Sequence, residues 1–148
     1  MELDEKDMAI LALLKEDASL TTNKISKKLR IPITTVHNRI KRLNKTGVIR
    51  RYTIEVDSEK VGTPILAYVL VTFVQSIVSG KKTTQQQIAR RINELPEVES
   101  VDITTGATDM MLIVRTSSMR TLNTLITTKL RQIPGVDKTQ TMIVLEEI

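Results

Sequence analysis

Basic side chains dominate one stretch of this 148-residue chain. From Lys24 to Arg51 the sequence has ten Lys or Arg residues and no Asp or Glu. A solvated helix face usually mixes both signs of charge, whereas a run of one sign attracts a polyanion and releases its bound counterions. The chemistry that these residues offer is therefore contact with phosphate groups, as in a nucleic-acid-binding protein.

The charge balance differs sharply between the two parts of the chain. Residues 1–56 have twelve basic and seven acidic side chains, whereas residues 57–148 have ten of each. Residues 1–23 alone have two Lys against six acids. The positive field of the protein is thus concentrated on the stretch that follows residue 23.

Three helices are predicted to position this stretch. Apolar residues recur at helical spacing over residues 3–16, where Asp4 can cap the first turn and Asp7 lies favourably near the positive end of the helix dipole. A second helix is expected to begin after Thr22 as its N-cap and to end at the segment that contains Pro32. The third runs from about Ile33 to Lys45. Two short helices joined by a tight turn are typical of a helix-turn-helix.

The third helix has one apolar face and one polar face. At about 100° per residue, Val36, Ile40 and Leu43 point together toward a core. The opposite face presents Thr34, Asn38, Lys41 and Lys45, flanked by Thr35 and Arg42. Asn can pair with adenine through two hydrogen bonds, Arg or Lys can pair with guanine, and a Thr methyl group can touch thymine. We therefore predict that Thr34, Thr35, Asn38, Lys41 and Arg42 discriminate between DNA sequences.

Further side chains in this region are predicted to contact phosphates: Thr22, Lys24, Lys27, Lys28 and Lys45. His37 and Arg39 lie on the shoulders of the third helix. His37 either contacts a phosphate or is a bystander, since the sequence offers no partner ligands for a metal and no catalytic partner. Arg39 either contacts DNA or braces the neighbouring helix.

A strand and a domain boundary are predicted to follow. Apolar and polar residues alternate from Val48 to Val56, as in a strand with one buried face. A polar connector, Asp57–Gly62, comes next. We expect two domains, residues 1–60 for DNA binding and residues 61–148 for effector binding and oligomerisation.

The second domain has an internal repeat. Residues 92–106 resemble residues 130–144, because each segment ends a helix, meets an apolar-Pro pair and restarts as a strand. The predicted elements before these segments are strands over Ile65–Val74 and Met110–Val114 and helices over Thr84–Leu95 and Met119–Ile133. The order strand, helix, strand, strand, helix, strand predicts a ferredoxin-like βαββαβ fold, with both helices on one face of an antiparallel sheet. The protein is therefore expected to be α+β.

The apolar composition of the first strand of this sheet predicts that a second copy of the chain packs against it. Ile65–Val74 is apolar at almost every position, which indicates that both of its faces are covered. A second copy of the chain, packed sheet against sheet about a two-fold axis, would cover the face without helices. The alternative is a strand that is merely rich in aliphatic residues. The polar segment Gln75–Thr84 is expected to be a loop without an assigned role.

Several classes of protein are excluded or disfavoured by composition. The absence of Cys excludes disulfides and thiolate metal sites. No run of 18 apolar residues occurs, and the acidic N-terminus lacks a signal-peptide pattern, so we expect a cytoplasmic protein without a membrane partner. Scattered carboxylates and a single His provide no pairing of nucleophile and base, so we expect neither an enzyme nor a cofactor or metal.

Five motifs in series resemble the Lrp/AsnC regulators, also called feast/famine regulatory proteins. They are L-D-x-x-D-x-x-I-L-x-x-L from Leu3, R-I-x-R-L-x-x-x-G-V-I from Arg39, D-x-x-x-V-G from Asp57, T-G-x-x-D from Thr105 and I-P-G-V-x-x-T-x-T from Ile133. The match spans essentially the whole chain, in the right order. The resemblance implies an N-terminal winged-type helix-turn-helix, a ferredoxin-like ligand-binding domain, dimers that assemble into tetramers or octamers, and regulation of transcription.

The resemblance also implies an effector site. Its residues would be Thr105, Gly106, Ala107, Thr108 and Asp109. Asp109 could pair with an α-ammonium group, while Gly106 would let backbone N–H groups approach a carboxylate. The alternative is that this loop is only a hairpin turn.

These observations together predict a sequence-specific transcriptional regulator that binds double-stranded DNA. An amino acid or related small metabolite, bound where dimers meet, is expected to modulate it. The alternative is a low-specificity architectural protein that coats or bends DNA and has no effector.

Overall fold

The computed structural model describes residues 2–75, 77–78 and 81–147 of the chain. It divides into two compact units, Met1–Glu55 and Val56–Ile148. Among the described residues, none of the helices has the length and hydropathy of a membrane-spanning segment.

The first unit consists of three helices: α1 (Glu5–Glu16), α2 (Thr22–Leu29) and α3 (Ile33–Lys45). Asp4 caps α1 as predicted, through a capping box with Asp7. The predicted cap of α2 was wrong by one residue, because Thr22 is already helical and the extended residue before it, Thr21, accepts the N–H of Lys24.

A short turn joins α2 to α3. Arg30 has left-handed backbone with a φ of 54° and ends α2, while Pro32 precedes the first residue of α3. The hydroxyl of Ser26 donates to the carbonyl of Ile31, and the Ile31 N–H donates back to the Ser26 carbonyl. These bonds satisfy polar groups at the end of α2 and fix the direction in which α3 leaves the turn.

Each of the three helices contributes at least one buried side chain to the core of this unit. Ile10, Ile25, Val36 and Leu43 are completely buried. Ile40 packs against this cluster in a partly buried position. The inward face predicted for α3 is therefore confirmed.

The strand predicted over Val48–Val56 is not formed. Residues 50–56 have no regular secondary structure, and their side chains are exposed, with Ile54 at 82%. A strand requires a neighbour for its N–H and C=O groups, and no other segment of the described chain pairs with these residues. The alternation of apolar and polar residues therefore predicted a strand at a segment that has no pairing partner in the described chain.

The second unit is a four-stranded antiparallel sheet with two helices. Its elements in order are β1 (Ile65–Phe73), the short strands β2 (Ile77–Val78) and β3 (Lys81–Lys82), α4 (Gln85–Asn93), β4 (Val98–Ile103), β5 (Met110–Thr116), α5 (Met119–Thr124) with a π-helical continuation (Leu125–Leu130), and β6 (Val136–Ile143). The strand order β4-β5-β1-β6 is that of a ferredoxin-like fold, as predicted. The segment expected to be a plain loop instead contains β2 and β3, which pair as a small ribbon.

Both helices cover the same face of the sheet. Ile88 and Ile92 of α4 and Leu122 of α5 share one buried cluster with strand residues that include Val69 and Leu112. These strand residues face one another in the register of β1 and β5. The helices therefore shield one face of the sheet from solvent.

The other face of the sheet is apolar at its centre. Tyr68 pairs with Ile113 of β5 and with Met142 of β6, and Leu70 pairs with Met111. Because opposed residues share a face, these five side chains form one patch. Met142 is 44% exposed, and the other four are partly buried. The near-continuous hydrophobicity of β1 thus corresponds to two apolar faces, as predicted.

Candidate nucleic-acid interface

The outward face of α3 is polar and accessible. Thr34, Asn38, Lys41 and Lys45 are all exposed, and Thr35 is partly buried at the edge. The buried side chains of Val36 and Leu43 fix the rotation of the helix about its own axis. The residues predicted to read bases therefore lie together on the side away from the core.

The predicted phosphate contacts lie on α2 and α3. Lys24, Lys27 and Lys28 are exposed on α2, whereas Thr22 is partly buried in its first turn. His37 is exposed on α3. Ile25 packs α2 against α3 in the same core, so these cations belong to the unit that presents the face predicted to read bases.

Two arginines of α3 bind two carboxylates at the start of α1. Nη1 of Arg39 donates to both carboxylate oxygens of Asp4 at 2.7 Å and to Oδ1 of Asp7 at 2.8 Å. Nη2 of Arg42 donates to Oδ2 of Asp7. The Asp7 side chain is completely buried, while those of Arg39 and Arg42 are 20% and 45% exposed. We call these four residues the Asp7 cluster.

The opposite charges of the Asp7 cluster stabilise the ionised forms of Asp4, Asp7 and Arg39. Hydrogen bonds from Arg39 are the main reason that the pKa of Asp4 falls from 3.8 to about 2. Burial raises the pKa of Asp7, but hydrogen bonds from Arg39, from the Asp4 N–H and from Arg42 outweigh it and lower that pKa overall. Asp4 and Asp7 in turn raise the pKa of Arg39. Both acids are therefore ionised at neutral pH and hold α3 against α1.

This geometry separates the roles of the two predicted arginines. Arg39, for which bracing and DNA contact were alternatives, braces α1. Arg42 also holds Asp7, but nearly half of its side chain is exposed beside the face predicted to read bases.

Sequence reasoning treated Asp4 and Asp7 as helix-end residues and missed the ion pairs. A signal was present, because Asp7 lies three and four residues before Ile10 and Leu11 and so shares the inward stripe of α1. A carboxylate on an apolar stripe must find a cation when it is buried. Arg39 and Arg42 are one helical turn apart, and they supply it.

Asp109, the last residue of the predicted effector loop, is held in place by hydrogen bonds. Oδ2 of Asp109 accepts the Phe73 N–H at 2.7 Å, and Oδ1 accepts Nε2 of Gln85 at 2.8 Å. The Asp109 N–H donates to the carbonyl of Val71. Asp109 thereby connects the start of β5 to the end of β1 and the start of α4.

The rest of the loop presents backbone to solvent. Thr105, Gly106 and Ala107 are exposed, whereas Thr108 is partly buried, and its carbonyl accepts the Thr104 hydroxyl. Gly106 has a φ of 113°, which an L side chain rarely adopts. Within the described residues, the N–H groups of residues 105–107 have no hydrogen-bond acceptor.

The described part of the chain holds no group of three or more acidic or histidine side chains placed to bind a metal ion.

Two family models match the chain. Residues 3–50 match a winged helix-turn-helix DNA-binding domain, and residues 67–148 match the Lrp/AsnC ligand binding domain. The chain belongs to the Lrp/AsnC family.

Similar proteins agree with this assignment. An uncharacterized HTH-type transcriptional regulator of Pyrococcus abyssi is 38% identical over 99% of this chain and 95% of its own. The LrpC structure of B. subtilis has a TM-score of 0.83 at 28% identity, covering 100% of this chain and 98% of that chain. A transcriptional regulator of Neisseria meningitidis, solved as an L-Met complex, has a TM-score of 0.89 at 26% identity, covering 99% and 92%.

This Lrp/AsnC protein is a transcriptional regulator that joins a DNA-binding helix-turn-helix to a ligand-binding domain. The predicted family and fold class are thereby confirmed. The DNA-contacting and effector-contacting side chains remain predictions, which the geometry above makes specific.

We predict that Asp7→Asn destabilises the first unit by about 3 kcal/mol, because it removes the carboxylate that Arg42 binds and leaves the mostly buried Arg39 with Asp4 alone. Urea denaturation followed by circular dichroism measures the change. The matched control is Glu16→Gln on the exposed end of α1, which should change stability by less than about 0.5 kcal/mol. Equal stabilities of the Asp7→Asn variant and the unaltered protein would show that the cluster does not hold α3.

Proposed function

We propose that the chain is a homodimeric regulator that binds specific sites on double-stranded DNA through α3. The observation that supports this most strongly is the contrast between the two sides of α3. Its inner side is fixed by the core and the Asp7 cluster, while its outer side exposes amide, hydroxyl and ammonium groups without an acid. A rigid helix with such a face fits the major groove of DNA.

The side chains of this face divide by role. Asn38, Thr34 and Lys41 point outward and would contact base edges, with Thr35 and Arg42 at the margin. The exposed lysines of α2, together with Lys45, would contact phosphates and set the overall affinity. In a two-fold dimer the two α3 helices would enter successive major grooves, about 34 Å apart.

The apolar patch on the open face of the sheet supports the dimer. Its five side chains come from β1, β5 and β6, and they lie outside the buried cluster that α4 and α5 form with the sheet. An exposed apolar patch of this kind is typical of a protein-protein interface. We propose that the patch packs against the same patch of a second copy, and that such dimers assemble further into tetramers or octamers.

The extended segment 50–56 also favours a second copy. Its alternating side chains and unpaired backbone lack a neighbour within the described chain. The equivalent segment of a partner, related by a two-fold axis, would provide antiparallel pairing and cover Ile54.

We also propose that an amino acid or related metabolite binds at the loop of residues 105–109, where dimers meet. The unpaired N–H groups of residues 105–107 are suited to a carboxylate, and Asp109 is suited to an ammonium group. Each oxygen of Asp109 already accepts one hydrogen bond, which fixes the carboxylate while leaving its charge available. The Neisseria relative solved with L-Met makes L-methionine the first ligand to test.

We expect Asn38→Ala to weaken binding to the preferred DNA site about tenfold and to leave binding to random DNA unchanged, since the variant removes the amide that would pair with a base. The preferred site is first obtained by selection from random duplexes. Lys28→Ala is the matched control: it should weaken binding to both DNAs by the same factor and lower the salt slope by about 0.9 per chain. Equal losses on both DNAs for Asn38→Ala would contradict the base-reading role.

We expect L-methionine or another amino acid to raise the melting temperature of the protein, because a ligand at a hundred times its Kd stabilises the folded state by about 2.7 kcal/mol. Asp109→Asn should abolish the rise by removing the charge. The amide can still accept the Phe73 N–H, and Gln85 can turn its own amide to match. Asp102→Asn on β4 is the control and should leave the rise intact. If no amino acid changes the melting temperature, the effector proposal fails while the DNA-binding proposal stands.

A further inference from the structure

Charge is segregated within the second unit although its total is balanced. Residues 57–148 have ten acids and ten bases, yet residues 60–93 and 110–136 contain no Asp or Glu. These two acid-free segments include the whole of α4 and the whole of α5 with its π-helical continuation. The acids lie on β4 and β6, in loops, after the sheet and in the connector before it.

The helix layer therefore exposes cations that have no partner. Arg90 and Arg91 on α4 and Arg120 and Arg131 on or just after the α5 segment are all exposed. In the described part of the chain, none of the four guanidinium groups forms an ion pair or a hydrogen bond. The nearest exposed acid in sequence is Glu94, which follows the last residue of α4.

Some other cations of the same unit are neutralised by acids, although the exposed Lys82 and Lys138 form no ion pair within the described residues. Arg115 of β5 binds Glu99 at 2.9 Å and Glu147 at 2.6 Å. Lys129 binds Glu97. Arg115 and Lys129 are thus paired within the fold. The four arginines of the outer helix face have no such pair in the described residues and are available to an external anion.

The remaining side chains of this face are hydrogen-bonding groups. The exposed ones on the two helices are Gln86, Gln87, Asn93, Asn123, Thr124, Thr127 and Thr128. Met119 is the one large apolar side chain that the described helices of this unit expose. Protein-protein interfaces need a buried apolar or aromatic centre, whereas contacts to a DNA backbone use Arg, amide and hydroxyl groups.

The geometry points to a second phosphate-binding surface on the outer face of α4 and α5, which contacts the backbone of duplex DNA that flanks the site held by α3. This inference rests on the proposed DNA-binding function. Contacts to phosphates are independent of sequence, so this surface would add affinity for longer DNA without changing which site is chosen.

The test compares two duplexes that contain the same selected site, one of about 20 base pairs, which spans two half-sites, and one of about 150 base pairs, the persistence length of DNA. We expect R90Q/R120Q to bind the short duplex with unchanged affinity and the long duplex about tenfold more weakly. Its salt slope on the long duplex should fall by about 0.9 for each phosphate that the variant no longer neutralises, or about 1.8 per chain. R90K/R120K keeps the charges and should bind both duplexes with nearly the original affinity and salt slope.

Three results would overturn the inference. The first is an unchanged affinity and salt slope of R90Q/R120Q on the long duplex, and the second is an equal loss on both duplexes. The third is a change in the assembly size of R90Q/R120Q without DNA, measured by sedimentation, because the face would then bind protein. If the unaltered protein bound neither duplex, the proposed function itself would fail, which is a different outcome from any of these three.

Discussion

The buried carboxylate of Asp7 is the constraint on which the DNA-binding unit depends. It lies inside the three-helix core and is neutralised by Arg39 and Arg42 of α3, while Asp4 shares Arg39 and caps α1. Because removing one partner of such a cluster leaves a costly buried charge, α1 and α3 are held in one relative position. The apolar contacts of Val36 and Leu43 set the rotation of α3. Together they hold the outward polar face of α3 rigid, as groove recognition requires.

In the second unit, the main physical constraint is how the two faces of the sheet are covered. Its helices bury one face of the sheet with Ile and Leu side chains, and the other face has an apolar centre that a single chain leaves partly open. A second copy is the simplest cover for that face. The unit thereby has three surfaces of distinct chemistry: an apolar sheet face, an outer helix face rich in unpaired arginines, and a loop tip with free backbone N–H groups.

Much of the fold was predictable because its signals are local. The helical stripe Val36, Ile40 and Leu43 predicted α3 correctly, and the repeated apolar-Pro pattern predicted the order of the second unit. Failures arose where a distant or absent partner decides the structure. The alternation over Val48–Val56 predicted a strand, but no neighbouring strand exists in the described chain. Asp7 looked like a helix-end residue, because its arginines lie more than thirty positions away. The unpaired state of Arg90 and Arg120 is likewise visible only once every described acid has been placed.

Sedimentation of a fluorescent duplex carrying the selected site, mixed with the purified protein at low salt, tests dimer formation and DNA binding at once. We predict a single faster-sedimenting species that contains two chains, or a multiple of two, per duplex, and that dissociates as salt is raised because phosphate contacts are screened and counterions return. A duplex that sediments alone beside a single-chain protein, even at low salt, would contradict both the dimer and the DNA-binding role of α3.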